Sequence, residues 1–279
     1  MTAPWRRVVG IAGVVALVVV ATACHASPAR PKTVPLPRSM AAVGDSITEA
    51  YDVNSAGFLK DNPAESWSTG TDAAVDSQYQ RILAAVPAIV GHGFNDAVSG
   101  SKMAALDGQL RQAASQQVDY VTVLMGANDL CTSSVTTMTP TATFSQQLSS
   151  ALTDFFASDP RAHLLVASIP NLYNLWTTLH SNASAELVWG VGHLCQSMLA
   201  YGGTEADRQA VSLREIADNA ALALVCGQFR NCRFDGGALN RQSFSESDIS
   251  PVDYFHPSLL GQAKLAAVTW AAGYWPSTR

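Results

Sequence analysis

Charge is scarce in this chain of 279 residues: Asp, Glu, Lys and Arg make up 14% of it, against roughly a quarter in an average soluble protein. Hydrophobic residues make up 48%. That is the opposite of the balance that keeps a chain disordered, so a packed core is expected. After the first few residues there is no run of Lys or Arg, and the formal net charge is −5, which argues against a nucleic-acid partner. No C-x-x-C or H-E-x-x-H spacing occurs, so no metal centre is expected. No Walker A motif occurs, and Gly91-His92-Gly93 lacks the third glycine of a dinucleotide fingerprint, so no cofactor is implied either. Collagen repeats, heptads and multiple membrane spans are absent.

The N-terminus differs from the rest of the chain. Arg6 and Arg7 form a basic head, and residues 8–23 are an uncharged, mostly apolar run. Sixteen residues fall short of the ~20 a spanning helix needs, and the pattern is that of a secretory signal over residues 1–23. The segment Val20-Ala21-Thr22-Ala23-Cys24 resembles a bacterial lipobox, with Ala21 where Leu or Val is usual. Cys24 is therefore a candidate lipidation site, placing the protein outside the cell, anchored to the outer face of the membrane or secreted. Residues 24–37 contain Pro28, Pro31, Pro35 and Pro37 and read as a tether. The domain proper is expected over 38–279.

Setting Cys24 aside leaves Cys131, Cys195, Cys226 and Cys232. An exported chain can pair them in three ways. The closeness of Cys226 and Cys232 around a Gly-Gln-Phe-Arg-Asn turn favours that pair, and elimination leaves Cys131 with Cys195.

From residue 38 onward the pattern alternates. Short apolar or β-branched runs at 40–43, 118–125 and 163–169 each end in polar or breaker residues, as buried parallel strands do. Helical spacing predicts helices over 104–114, 141–156, 205–225 and 258–274. Alternation of this kind implies a parallel sheet covered by helices on both faces, a three-layer α/β/α sandwich. Residues 171–203, with Trp176 and Trp189, fit the alternation poorly and read as a helical insertion. Ligands of such sheets bind at the carboxyl ends of strands, and the most polar short motifs lie there.

Four motifs carry the chemistry. Gly44-Asp45-Ser46 follows the first strand and can aim the Ser46 hydroxyl into a cleft. Ser99-Gly100 offers a backbone N–H that no Cβ shields. Gly126-Ala127-Asn128-Asp129 follows another strand, and the Asn128 amide can donate to a developing oxyanion. Asp253-Tyr254-Phe255-His256 supplies a histidine, the side chain most often used as a general base, and an acid able to orient it. Of the six histidines, His25 lies in the tether, and His92, His163, His180 and His193 lack an acid–serine pattern. Singly, each motif reads as a turn, a cap or a packed side chain.

Together, in this order, the motifs resemble the blocks of the SGNH (GDSL-type) hydrolases, over nearly the whole expected domain. The stretches at 43–48, 66–68, 97–100, 126–131 and 254–264 are similar to the phospholipase B-like branch. The resemblance implies a flavodoxin-like sheet and hydrolysis of carboxylic esters, lipid esters foremost. It implies Ser46 as nucleophile, His256 as general base and Asp253 as its orienting acid. It also implies an oxyanion hole made by the backbone N–H groups of Ser46 and Gly100 and the Asn128 amide. Trp67 is expected to line the substrate site. Two further readings stand beside this one: an esterase removing O-acetyl groups from cell-envelope glycans, and a surface lipoprotein that binds without turnover. A monomer acting on a small-molecule or lipid ester is expected.

Overall fold

The computed structural model describes residues 34–54 and 58–276, together with residues 1, 2 and 4. The rest of the predicted signal, Cys24 and residues 25–33 of the tether lie outside the described residues. Five strands form the sheet: β1 (Met40–Gly44), β2 (Gly93–Asn95), β3 (Tyr120–Leu124), β4 (His163–Val166) and β5 (Cys232–Phe234). Their order is β2-β1-β3-β4-β5, and every neighbouring pair is parallel. This is the flavodoxin-like order, whose switch point lies between β1 and β3.

The helices are α1 (Gln78–Ala85), α2 (Leu106–Ser115), α3 (Ala127–Leu130), α4 (Thr141–Ser158), α5 (Leu172–Leu179), α6 (Ala183–Val191), α7 (Gln196–Leu199), α8 (Glu205–Cys226) and α9 (Leu259–Ala272). The two-residue period of the strands sorts them into layers. Ala41, Val43, Val121, Val123, Leu164 and Val166 share one core with Leu106 and Leu110 of α2, Phe144 and Leu148 of α4, and Val211 and Leu222 of α8. On the other face, Met40, Tyr120 and Leu165 pack with Tyr79 and Ile82 of α1 and Trp270 of α9. Leu124 joins Leu265 and Ala266 of α9. The sheet is therefore the middle of three layers, as the alternation predicted.

Two strands and two helices, α1 and the four-residue α3, escape the sequence pattern. β2 and β5 have three residues each and sit at the sheet edges, where only part of their surface is buried. Without a long apolar run they do not stand out from loops. The α1 helix opens on a capping box, Ser77 accepting from the Gln80 N–H while the Gln80 side chain accepts from Ser77 N–H. Residues 171–203 hold α5, α6 and α7. Both disulfides pair as sequence proximity and elimination suggest, Cys131 with Cys195 and Cys226 with Cys232. Among the described residues, no helix is long and apolar enough to cross a membrane.

Candidate active site

The first element of the site is the turn that ends β1. A Cβ at Gly44 would lie 2.5 Å from both the Leu124 carbonyl oxygen and Thr48 Oγ1, so only glycine lets the strand end there. The Asp45 carbonyl accepts from the N–H groups of Thr48 (3.0 Å) and Glu49 (3.1 Å), and Asp45 Oδ1 accepts from the Ile47 N–H at 3.0 Å. This compact turn holds Ser46, 8% exposed, at the carboxyl end of the sheet. Burial pushes the Asp45 carboxyl up to about 6, against the pull of the Ile47 N–H.

His256 arrives from the other end of the chain. Ile249 and Pro257 pair antiparallel, and Ser250 N–H donates to the His256 carbonyl at 2.8 Å. Between them, Tyr254 takes a left-handed conformation, φ +55°. Asp253 Oδ1 accepts from the backbone N–H groups of Phe255 (2.9 Å) and His256 (3.0 Å). That leaves Oδ2 facing His256 Nδ1 at 2.5 Å. His256 Nε2 then lies 2.8 Å from Ser46 Oγ, across 210 residues of sequence. The carboxylate thus fixes the imidazole with Nδ1 protonated and Nε2 free to take the hydroxyl proton. The Tyr51 and Phe255 rings lie 5.2 and 4.9 Å from the imidazole, centroid to centroid.

Besides Ser46 itself, the predicted N–H donors come from the segments that follow β2 and β3. Gly100 adopts φ +79°, with nothing within 4 Å of where a Cβ would stand. Asn128, the second residue of α3, gives one amide hydrogen to the Ser101 carbonyl at 3.1 Å, so the same amide braces the Gly100 turn and keeps a second hydrogen. Neither the Ser46 nor the Gly100 N–H donates to a backbone carbonyl among the described residues.

Two glutamines that the motifs did not single out as functional tie these turns together. The Gln109 side chain, on α2, accepts from the Gly44 N–H (2.8 Å) and donates to the Gly44 carbonyl (2.9 Å) and to Ser101 Oγ (3.2 Å). The Gln262 side chain, on α9, accepts from the Trp67 N–H (2.9 Å) and donates to the Ile47 carbonyl (2.8 Å). A polar residue on the core-facing stripe of a helix is the only sequence signal for either. The expectation for Trp67 is corrected here. It is 0% exposed, packed against Leu124 and Leu265, with its indole N–H given to Thr48 Oγ1 at 3.3 Å. A bulky ring behind the Ser46 turn fills the core and cannot meet substrate.

Beside His256 opens an apolar cavity of about 60 Å³, with Ile47, Ala127, Leu172, Leu175, Ile249 and Phe255 in its wall. Away from it, Glu49 is 8% exposed, and burial together with Asp61 and Asp96 pushes its carboxyl up to about 7.

A fold of this kind has known relatives. The sequence pattern of the GDSL-like lipase/acylhydrolase family matches residues 42–264. No curated protein matches the chain by sequence. The structure of TesA superposes with a TM-score of 0.52 at 19% identity, covering 84% of this chain and 97% of that one. Phospholipase A1 from Streptomyces albidoflavus gives 0.52 at 18% identity, covering 84% and 99%. A catalytic mutant of an acetylxylan esterase from Geobacillus stearothermophilus gives 0.50 at 14% identity, covering 84% and 93%. At these identities the structural likeness is one of fold.

Proposed function

The chain belongs to the GDSL-like lipase/acylhydrolase family, and on that premise we propose that it is an exported serine esterase hydrolysing carboxylic esters of apolar acyl groups through Ser46, His256 and Asp253. One observation carries the proposal: the unbroken contact from Ser46 Oγ through the imidazole to the Asp253 carboxylate, at 2.8 and 2.5 Å.

The chemistry proceeds along that line. His256 Nε2 takes the Ser46 proton as Oγ bonds to the ester carbonyl carbon. Negative charge then gathers on the carbonyl oxygen, which the N–H groups of Ser46 and Gly100 and the Asn128 amide receive. The imidazolium, held by Asp253, gives its proton to the departing alcohol as the C–O bond breaks, leaving an acyl-serine. Water attacks next, giving its proton to Nε2, and the carboxylic acid leaves as Ser46 regains a proton.

The apolar wall beside His256 supports hydrocarbon acyl groups over sugar O-acetyl groups, for which a polar open groove would be needed. The similarity of 97–100, 126–131 and 254–264 to the phospholipase B-like branch supports the same choice. Export, and anchoring through Cys24, rest on the basic head, the apolar run and the lipobox-like segment at 20–24.

An active-site fluorophosphonate tests the core of the proposal. The purified protein takes up the probe and Ser46→Ala does not; labelling that survives this substitution removes Ser46 from the mechanism. Labelled palmitate fed to expressing cells tests the anchor, with incorporation expected in the wild type and lost in Cys24→Ser.

A further inference from the structure

The stretch between β4 and α8 is nearly free of charge. Residues 171–204 hold one carboxylate, Glu186, and no Lys or Arg, where the chain's 14% of charged residues would put about five in such a length. We propose that α6, at the centre of this stretch, docks the protein onto an uncharged lipid–water interface and so brings the catalytic loop to esters held there. This rests on the proposed esterase reading and names the physical form of its substrate, a lipid ester in an aggregate rather than one dissolved in water.

Both sides of α6 are apolar. Its inner face buries Ala185 and Trp189 in the core. Its outer face leaves Leu187 and Val191, one helical turn apart, 66% and 75% exposed. Tyr201, just beyond α7, is 88% exposed. Glu186 is half-buried, with Oε2 shut off from solvent. A surface helix of a soluble protein ordinarily turns charged and polar residues outward. A helix lying in a lipid interface instead presents Leu, Val and aromatic side chains to the boundary between headgroups and acyl chains. A tyrosine beside it suits that boundary, with an apolar ring and a polar tip.

The inner face is fastened to the catalytic loop. The Trp189 indole N–H donates to the Tyr254 carbonyl at 3.0 Å, two residues before His256. The Asn182 side chain caps the helix, accepting from the N–H groups of Ser184 (3.0 Å) and Ala185 (3.3 Å), and donates to Glu246 Oε1 at 3.1 Å. At the other end, Gln196 Nε2 donates to the Trp189 carbonyl at 3.0 Å. Its neighbour Cys195 is bonded to Cys131, in the segment after Asn128. A helix is about 10–12 Å across, so a surface that touches the outer face of α6 lies about one helix diameter from the His256 loop. Because the mount is already fixed, docking spends nothing on ordering it.

Lipid suits this face better than a second copy of the chain. The nine residues of α6 make a cylinder about 14 Å long and 10 Å wide, far short of the roughly 800 Å² that each partner of a stable protein pair buries. A lipid interface needs no matching surface. With no Lys or Arg in 171–204, nothing there attracts anionic headgroups, which selects neutral or zwitterionic lipid. The α8 helix also exposes Leu213 and Ile216, but its main packing partner is α4, so it serves as a control.

The test uses tributyrin, a single ester that can be offered dissolved or, above saturation, as an uncharged emulsion. Every form carries Cys24→Ser, so that no acyl anchor binds on its behalf. The expected result is a rate that rises several-fold as tributyrin passes saturation and that about 0.5 M NaCl leaves unchanged. Burying one Leu or Val side chain favours the apolar side about tenfold or more. Leu187→Asn with Val191→Asn should therefore cut the emulsion rate at least about tenfold and the dissolved-ester rate less than about twofold. Leu213→Asn with Ile216→Asn should change neither. Docking through α6 is overturned by a parent rate that stays flat through saturation, by an emulsion rate lost in salt, by an equal loss on both forms of ester in the α6 variant, or by as large an emulsion loss in the α8 variant. If the α6 double variant does not fold, Val191→Ser alone reads the same ratio. Fluorophosphonate labelling of Ser46 separates the two ideas: labelling with a flat rate sinks the docking alone, and loss of labelling sinks the esterase reading beneath it.

Discussion

Asn128 has two amide hydrogens and spends one of them on the Ser101 carbonyl. In the proposed mechanism the other is given to the ester carbonyl oxygen as it gains charge. Removing one such donor typically costs roughly 2.7–4 kcal/mol of barrier, so Asn128→Ala should lower kcat about 100- to 1,000-fold, measured with one ester at saturation. Gln109 acts one step back, on Gly44 and Ser101. Gln109→Met keeps the volume and removes the bonds, so kcat should fall while KM for the same ester changes little; an equal change in both would make the residue merely structural. One pH response belongs to this scale, and it comes from Glu49. Its carboxyl is raised from 4.5 to about 7, by burial first and then by Asp61 and Asp96. A raised folded-state value gives stability that is full below about 4.5 and lost as pH rises through about 7. Thermal midpoints should therefore drop between pH 5 and 8, and less steeply in Glu49→Gln.

The elements that present these residues are rigid for identifiable reasons. The β1 and β3 strands are buried along their whole length, so the turns at their ends start from fixed points. The 249–257 loop is held by its own antiparallel bridge and by Ser250, whose hydroxyl donates to the Asp52 carbonyl of the segment after Ser46. Trp67 braces the Ser46 turn from the core side. Emptying that position leaves a large void and a Thr48 hydroxyl without its indole partner, so Trp67→Ala should cost about 3–5 kcal/mol in denaturant unfolding. A loss well below 1 kcal/mol would mean the turn does not depend on that ring. The short strands β2 and β5 show the limit of pattern reading. Three residues at a sheet edge bury too little to impose an apolar alternation, so Gly93–Asn95 and Cys232–Phe234 are strands because the neighbours β1 and β4 offer them hydrogen bonds.

Over the whole molecule, the two disulfides divide unequally. Cys131–Cys195 closes 64 residues and ties the segment after Asn128 to α7, whereas Cys226–Cys232 closes only six. Loop-closure entropy makes the first worth about 4 kcal/mol and the second about 2. Replacing Cys131 and Cys195 with Ser should lower unfolding free energy about twice as much as replacing Cys226 and Cys232. Equal losses would argue that local strain or residual unfolded structure dominates. The order of layers was legible beforehand, because a buried parallel strand must be apolar on both faces and a covering helix must carry a stripe. Two of the four polar motifs were legible for a related reason: Gly44-Asp45-Ser46 and Gly126-Ala127-Asn128-Asp129 each break an apolar run at a strand end, where solvent and ligand are met.

The sequence alone determined the kind of sheet, the four motifs and their order, for these come from local periodicity and residue chemistry. Only the tertiary structure decided that Ser46 Oγ and His256 Nε2 stand within 2.8 Å. Only it could decide that Trp67 is buried behind the turn, that Gln109 and Gln262 hold the turns, and that an apolar recess adjoins the imidazole. The physical reason is that contacts between residues far apart in the chain come from how layers pack and strands order, and neither leaves a periodic trace in the residues that make them.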